Sequence, residues 1–528
     1  MASHLQKQLQ ALAQPDAAGL LTAINRGIEK ESLRITPGGK LAQTPHPDGL
    51  GSALTHPSIT TDYSEALLEF ITPVSSSIEQ SLQKLEDIHS YIYQKIDDEI
   101  LWSASMPCIV AGDASIPVAR YGSSNVARMK TVYRYGLGHR YGRLMQAIAG
   151  IHYNFSMPQA YWDKAWREAG SPGIQADYVT ERYLGLIRNF RRYSWLLIYL
   201  YGASPAVCAS FLGDRDNHGL QPFDEKFKSL HMPYGTSLRM GGLGYNSDAQ
   251  KPLSVCYNSL DNYVTTLSSA IKQPYAAYKD IPAGARGDYQ QLNDSLLQIE
   301  NEFYSPIRPK RVADSGEAPL CALVRAGIEY IEVRCIDISP FSPVGIDAAQ
   351  MRFLDTFLLY CLLQESPPCD DNEQDAQAAN LDAIVNTGRQ PGLLLNSGSG
   401  SILMTQWAQE LLEAMHPIAT LLDTAHKQTD HSASLQDQLA KVADSELTPS
   451  ARVLSEMRER NLPFFRLAMG YSEQWAAHFR QRTLPRERQD AFENETAQSL
   501  LAQRTIEQSD DLSFEQYLQN FFAQYKNL

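Results

Sequence analysis

The chain has 528 residues, 43% of them hydrophobic and 20% charged, an ordinary globular composition with ample material for a large core or several domains. A formal net charge of −14 gives no general attraction to nucleic acid or to an anionic membrane, so any phosphate it binds must be held locally, by metals or by clustered Arg and Lys. The N-terminal MASHLQKQLQALAQPDAAG lacks the basic-then-apolar pattern of a secretory leader, the most apolar stretch (Trp195–Tyr201) is too short to cross a bilayer, and the seven cysteines are scattered without a C-x-x-C pair. The expectation is a cytoplasmic enzyme with reduced, mostly buried thiols.

Residues 1–25 read as helical. Two strand candidates follow, RGIEKESLRI (Arg26–Ile35) and one within TTDYSEALLEFITP (Thr60–Pro73), separated by a loop rich in Gly, Pro and His at Thr36–Leu54. Ser76 and Glu79 fit a capping box ahead of a helix whose apolar face is Ile78, Leu82, Leu85, Ile88, Ile92 and Ile96. Residues 101–160 mix loop and strand, with a basic tract from Arg120 to Arg143 and the strand-like GIHYNFS at Gly150–Ser156. Residues 175–212 read as buried helix, 213–250 as loop-rich, 258–283 as helix, and Gly327–Ile338 as strand. Further on the texture becomes mainly helical: Glu365–Asn380 reads as a polar, acidic surface loop, and Thr448–Pro449 as a helix start with Pro at the first helical position. The expected organisation is a catalytic core at 1–345 with a mostly helical region at 346–528 packing on it.

Strand side chains alternate between faces. Glu29 and Glu31 therefore share a face of the first strand, His152 and Asn154 share one in GIHYNFS, and Glu332 shares one with Tyr330 and Arg334. Glu69 aligns with Leu67 and Ile71, and Asp62 precedes that strand in a Thr-rich turn. Carboxylates seldom lie among strand-forming apolar residues without a cation to neutralise them. An isolated Glu in an amphipathic strand usually faces solvent, which is the expectation for Glu65, Glu300, Glu302 and Glu329. The recurrence of acids in three distant segments, with a histidine from a fourth, points to several divalent cations in one cleft. A mostly carboxylate set suits Mg²⁺ or Mn²⁺ rather than structural zinc.

Metal–carboxylate sites commonly serve phosphoryl transfer, which also uses fixed cations. Candidates are Arg128, Lys130, Arg134, Arg239, Arg308, Lys310, Arg311 and Arg334. No G-x-x-x-x-G-K-[ST] occurs, so a P-loop is excluded. Gly241–Gly244, beside Arg239, offers backbone that can approach a ligand, and Tyr133, Tyr245 and Tyr304 are candidates to wall a small-molecule pocket.

The stretches RGIEKESLRI, GSALTHPSITTDYSEALLEFITP, YGSSNVARMKTVYRYGL, RYGRLMQAIAGIHYNFS, PYGTSLRMGGLGY, QIENEFYSPIRPKR and GIEYIEVRCIDISPFSPVG, in this order over residues 24–345, together resemble the glutamate–cysteine ligases (γ-glutamylcysteine synthetases) of the proteobacterial type. The C-terminal third resembles them only through PGLLLNSG and its helicity. The resemblance implies an α+β fold related to glutamine synthetase, with a curved, largely antiparallel sheet forming a cleft flanked by helices. It implies ATP-driven joining of the glutamate side-chain carboxylate to the cysteine amine through a γ-glutamyl phosphate, the first step of glutathione synthesis. Its small-molecule partners would be L-glutamate, L-cysteine and ATP, with several Mg²⁺ ions and Mn²⁺ as a substitute; inhibition by glutathione is left open. By position, the family's metal ligands fall on Glu29, Glu31, Asp62, Glu69, His152 and Glu332, and its catalytic arginines on Arg134, Arg239 and Arg334. The cysteine pocket falls on Tyr133, Gln146, Ile148, Asn154, Tyr245 and Tyr304. The alternatives are a related γ-glutamyl ligase with another amine acceptor, a metal-dependent hydrolase using the same carboxylates to activate water, and a non-catalytic binding protein.

Overall fold

Asn25–Ile35 forms β1, the spine of a seven-stranded sheet. A computed structural model of the protein describes residues 4–14, 17–107, 109–213, 219–224, 229–244, 249–251, 253–284, 288–314, 316–398 and 400–528. The other strands of this sheet are β2 (Ile59–Thr61), β3 (Leu67–Ile71), β4 (Ile100–Leu101), β5 (Ile151–Ser156) and, much later in the chain, Ile307–Lys310 and Tyr330–Ile336. Between them in sequence, β6 (Ala206–Cys208), β7 (Gln221–Asp224) and β8 (Ser229–His231) form a small separate sheet in the order β6-β8-β7, so the late pair are β9 and β10. The large sheet runs β2-β3-β1-β5-β10-β9, with β4 on the end of β1, and every pairing is antiparallel. The segment Thr60–Pro73 holds two strands, because Asp62–Ala66 turns the chain: the amide of Leu67 donates to Ser64 O (2.9 Å), and that of Asp62 to Leu67 O (3.0 Å).

One face of the sheet is dry. Ile28 of β1, Leu68 and Phe70 of β3, Ile151, Tyr153 and Phe155 of β5, and Ile331 and Val333 of β10 are all buried there. Helices Ile78–Tyr93, Gln175–Tyr201 and Ala348–Leu363 pack behind it. This back face also takes three cations of β1, each with its own partner. Arg26 Nε donates to Asp355 Oδ2 (2.7 Å), with both side chains fully excluded from solvent, and the hydroxyl of Tyr153 donates to Asp355 Oδ1 (2.7 Å). Lys30 Nζ lies 2.6 Å from His89 Nε2, and burial brings its ammonium down to about 7. Arg34 Nη1 donates to Glu99 Oε2 (2.6 Å). The opposite face is walled by helix Asn125–Tyr141 and the short turns Met145–Ala147 and Glu300–Glu302, which between them leave a cleft.

Four local expectations are corrected. The basic tract is a helix, Asn125–Tyr141, started by the Ser124 side chain accepting from the amide of Ala127; its cations spread round the helix because one side meets the cleft and another the C-terminal helix Phe514–Ala523. The cap of the next-door helix is Ser77, not Ser76: its oxygen takes the amide of Gln80, and the run of three serines hid which one stands at the end. Glu365–Asn380 is not a loop throughout. Asp370 caps helix Asp371–Thr387 by accepting from the amide of Glu373, and the acids in the first turn complement the helix dipole. The helix expected over 258–283 ends at Lys272. Thr448 does cap a helix with Pro449 in its first turn. The main hydrophobic core runs from Leu12 to Tyr525, so most helices beyond residue 346 share it with the sheet, and helix Phe514–Ala523 packs in a smaller cluster with Met129, Val132 and Leu292. Among the described residues no helix is long and apolar enough to cross a membrane.

Removing one member of the Arg26–Asp355 pair strands a buried charge. Asp355→Ala is expected to lower unfolding free energy by about 3–5 kcal/mol in urea titrations, and Arg26→Met combined with Asp355→Leu to recover much of that loss. A double variant as unstable as the single one would show that the pair contributes more than mutual neutralisation.

Candidate active site

The strand register assembles the site. Across β1 and β5, Glu29 stands opposite His152; across β1 and β3, Glu31 stands opposite Glu69. Glu332 of β10 stands opposite Asn154 on one side and Arg308 of β9 on the other. Cross-strand partners share a face, as do residues two apart. Glu29, Glu31, Glu69, His152, Asn154, Arg308, Glu332 and Arg334 therefore all project from the face that looks onto the cleft. Asp62 joins them from the β2–β3 turn.

His152 is the hub. Its Nδ1 lies 3.2 Å from Glu29 Oε2 and 3.6 Å from Glu332 Oε1, and its Nε2 is 3.9 Å from Glu31 Oε1. The Asn154 amide steadies Glu29 by donating to Oε1 (2.8 Å), and the amide of Gly150 donates to Glu31 Oε2 (2.6 Å). Two cations approach Glu332: Arg334 Nη1 at 3.1 Å and Lys310 Nζ at 3.5 Å. The cleft has a volume of about 240 Å³ and is lined by Glu29, Asp62, Glu69, His152 and Glu332, by Arg134, Arg308, Lys310 and Arg334, and by Tyr133, Gln146, Glu302 and Tyr304.

The expected residues thus divide. Five of the six acids and imidazole line the cleft directly, and Glu31 lies just behind His152. Arg134 and Arg334 line it; Arg134 donates to the backbone oxygen of Asp62 and lies 4.6 Å over the ring of Tyr121. Arg239 does not. It is wholly buried beside Gly150 and Glu31, with its Nη2 donating to Arg334 O (2.8 Å). Two glycines make room for it: a Cβ on Gly150 would meet Arg239 Nη2 at 2.0 Å, and one on Gly244 would meet its carbonyl oxygen at 1.9 Å. The glycine loop expected to approach a ligand therefore approaches this arginine. Tyr133, Gln146 and Tyr304 all line the cleft, with Gln146 Nε2 donating to the Tyr304 hydroxyl (2.9 Å). Asn154 serves Glu29, Ile148 is buried in the hydrophobic core and is not among the residues lining the cleft, and Tyr245 lies outside the described residues.

Glu302 is a surprise. Expected to face solvent, it is 1% exposed, paired with Arg140 at 2.9 Å, and part of the cleft wall. Glu65 and Glu300 are buried too; Glu329 is the one whose side chain is half exposed. The neighbouring Tyr304 in the same segment was the available signal for Glu302.

Charge balance within the cluster is uneven. Burial pushes Glu29, Glu31, Glu69 and Glu332 up, and the environment then separates them. Against burial, Lys310, Arg334, His152 and Arg308 hold Glu332 well below the usual carboxylate range. Burial and Glu332 raise Glu29, but the hydrogen bond and charge of His152, with Lys310, leave it below its ordinary value. Burial and Asp62 push Glu31 up to about 8, despite Arg239, Arg334 and the Gly150 amide. Burial, Glu29, Asp62 and Glu31 drive Glu69 well above its ordinary value. Burial and Arg334 depress His152 against the opposing pull of Glu29 and Glu332, which favours the unprotonated form able to ligate a metal. Glu29, His152 and Glu332 each offer a ligand atom within 4.8 Å of the others, and His152 Nε2 and Glu332 Oε2 are buried without a hydrogen-bond partner. The donor set fits a hard divalent cation.

An antiparallel sheet whose acid-lined face opposes arginine and lysine across a small polar cleft defines an ATP-dependent carbon–nitrogen ligase when set beside proteins of the same shape. A glutamate–cysteine ligase from Francisella tularensis, solved in complex with AMP, superposes with a TM-score of 0.89 at 35% identity, covering 96% of this chain and 98% of that one. A bifunctional glutathione synthetase from Pasteurella multocida shares the fold at a TM-score of 0.70 and 24% identity, over 90% of this chain and 55% of its own. Residues 9–384 match the glutamate–cysteine ligase family model. Glutamate–cysteine ligases of Saccharophagus degradans and Alcanivorax borkumensis are 52% and 51% identical over 96% and 98% of this chain, and over 96% and 99% of their own lengths. The chain belongs to the glutamate–cysteine ligase family, whose activity is the ATP-dependent ligation that opens glutathione biosynthesis. The alignments with these relatives extend through the C-terminal third, whereas the family model ends at residue 384.

Glu31 titrates near 8 in the folded protein against an ordinary 4.5, so the folded state binds its proton more tightly than the unfolded chain does. Its contribution to stability is complete below pH 4.5 and is lost as pH rises to about 8. In EDTA, thermal stability should therefore fall more steeply across this window than it does for Glu31→Gln, and added Mg²⁺ should narrow the difference. Parallel stability profiles for the two proteins would contradict the assignment.

Proposed function

We propose that the cleft joins the side-chain carboxylate of L-glutamate to the amine of L-cysteine through a γ-glutamyl phosphate, and that Glu29, Glu31, Asp62, Glu69, His152 and Glu332 hold divalent cations, Mg²⁺ with Mn²⁺ as a substitute. The observation that carries this reading is the meeting of Glu29, His152 and Glu332 within 4.8 Å, flanked by Arg334 and Lys310. When bound, the cations would neutralise the crowded carboxylates and bind the phosphates of ATP.

Arg334 and Lys310, at one edge of the cluster, and Arg134, anchored to the Asp62 carbonyl, are the groups able to stabilise charge on the transferring phosphoryl group. The glutamate carboxylate attacks the γ-phosphorus, forming the acyl phosphate as ADP departs. The cysteine amine then attacks the acyl carbon and phosphate leaves. Arg239 supports this by fixing the backbone of Arg334. Tyr133, Gln146 and Tyr304 form the wall best suited to the acceptor, since they present aromatic surface and an amide rather than charge. A confined cleft suits an acyl phosphate, which water would hydrolyse.

On this reading residues 1–345 carry the chemistry and 346–528 frame it. The enzyme works in the cytoplasm, where its substrates are made and its thiols stay reduced; the described Cys208, Cys256, Cys321, Cys335, Cys361 and Cys369 are all free. Glutathione, which contains the product's γ-glutamylcysteine unit, would compete for the same cleft.

The test is ADP release with ATP, Mg²⁺ and L-glutamate, with and without L-cysteine, and mass-spectrometric detection of γ-glutamylcysteine. Glu29→Gln and Glu332→Gln should each lower kcat/KM at least about a hundred-fold, since changes one shell removed from a metal already cost ten- to a hundred-fold, with circular dichroism unchanged. Turnover that ignores cysteine would reassign the acceptor, and loss of folding in these variants would make the two carboxylates structural.

A further inference from the structure

Glu302 has no role in the reading above, yet it is a fully excluded carboxylate in the wall of the cleft. Its Oε1 accepts from Arg140 Nη1 (2.9 Å) and from the Tyr141 hydroxyl (2.7 Å), and its Oε2 accepts from the amide of Gln298 (2.7 Å). Both oxygens are therefore taken by protein donors, and the charge is matched by an arginine whose side chain is equally buried. A carboxylate so engaged is unsuited to binding metal or to moving protons. Its partners lead instead to Tyr304.

The amide nitrogen of Gln250 donates both to the Tyr141 hydroxyl (3.0 Å) and to the backbone oxygen of Glu302 (2.9 Å), while its Oε1 accepts from the backbone amide of Tyr304 (3.0 Å). The ring of Tyr141 meets that of Tyr304 edge to face, with centroids 5.7 Å apart. Tyr304 is thus held at its backbone by Gln250 and at its ring by Tyr141, and its hydroxyl takes the bond from Gln146. The same short turn is tied to the phosphate side of the cleft, because Arg308 Nη2 donates to Asn301 O (2.8 Å).

We infer that Glu302, Tyr141 and Gln250 are positioning residues that set Tyr304 and thereby the fit of the acceptor amino acid. The inference rests on reading Tyr133, Gln146 and Tyr304 as the acceptor wall. Its energetic basis is a buried, closed set of hydrogen bonds, which gives one geometry when every member is satisfied.

Glu302→Gln leaves Arg140 buried without a counter-charge and risks the fold. The decisive variants are Gln250→Ala, which releases the Tyr304 amide, and Tyr141→Phe, which keeps the ring but removes the hydroxyl link. Both are measured in the full-length enzyme beside Gln146→Ala, a direct member of the wall. The readouts are KM and kcat for L-cysteine and for 2-aminobutyrate, which carries a methyl in place of the thiol, together with KM for glutamate and ATP. Gln250→Ala should raise the cysteine KM about ten-fold, as expected for one lost buried hydrogen bond, and change the cysteine-to-aminobutyrate preference. Tyr141→Phe should act in the same direction, and KM for glutamate and ATP should stay within about two-fold because their contacts are untouched. Equal losses for all three substrates, or unchanged cysteine KM in both variants while Gln146→Ala raises it, would overturn the inference alone. Unchanged cysteine KM in all three variants would overturn the acceptor reading beneath it.

Discussion

Like-charge repulsion is the constraint around which this structure is organised. Glu31 and Glu69 face each other across adjacent strands, Glu29 and Glu332 flank one imidazole, and Asp62 stands close by. Two unit charges 4 Å apart repel by about 4 kcal/mol at an effective dielectric of 20. The protein meets this cost differently at the two ends of the cluster. Near β10, Arg334, Lys310 and Arg308 hold Glu332 ionised. Near β3, burial and the neighbouring acids raise Glu31 and Glu69, which favours their protonated forms. A cation entering the second end competes with protons, whereas at the first it competes with side-chain cations.

β1 carries this burden because its two faces have opposite characters. Its odd-numbered Glu29 and Glu31 face the cleft, while its even-numbered Arg26, Lys30 and Arg34 enter the packed layer behind, each with a partner of its own. The strand is buried almost throughout, so neither face is excused by solvent. A one-residue slip of register would exchange the acids for the bases and leave both sets uncompensated. Register here is fixed by electrostatics as well as by apolar packing.

Much of this was legible in the sequence because strand geometry is simple. Period-two alternation in RGIEKESLRI, GIHYNFS and IEYIEVR assigns Glu29, Glu31, His152, Glu332 and Arg334 to faces without knowledge of the partner strands, and the register bears those assignments out. What escaped was set by context. Nothing local distinguishes Ser76 from Ser77 as a cap, and an acidic stretch reads as loop until Asp370 is seen to start a helix with it. Arg239 and Arg334 are the same residue type with the same expected role, yet Arg334 lines the cleft while Arg239 is wholly buried and bonded to the backbone of Arg334, a depth that only packing determines. Glu302 escaped for the same reason: expected to face solvent, the acid found Arg140 in the buried wall of the cleft.

The strand order has a consequence for how the chain is made. β1 pairs early with β3, its close neighbour in sequence, but its other edge waits for β5: the bond between Glu31 and Gly150 spans 119 residues. β10 comes later still, and brings Glu332. During synthesis, therefore, a long strand with buried-type side chains on both faces must stand with one open edge, the arrangement most prone to pair with another chain. Its charges are the safeguard, since two such strands meeting edge to edge would bring unneutralised carboxylates together. The residues that make the finished cleft reactive would then also keep nascent copies apart.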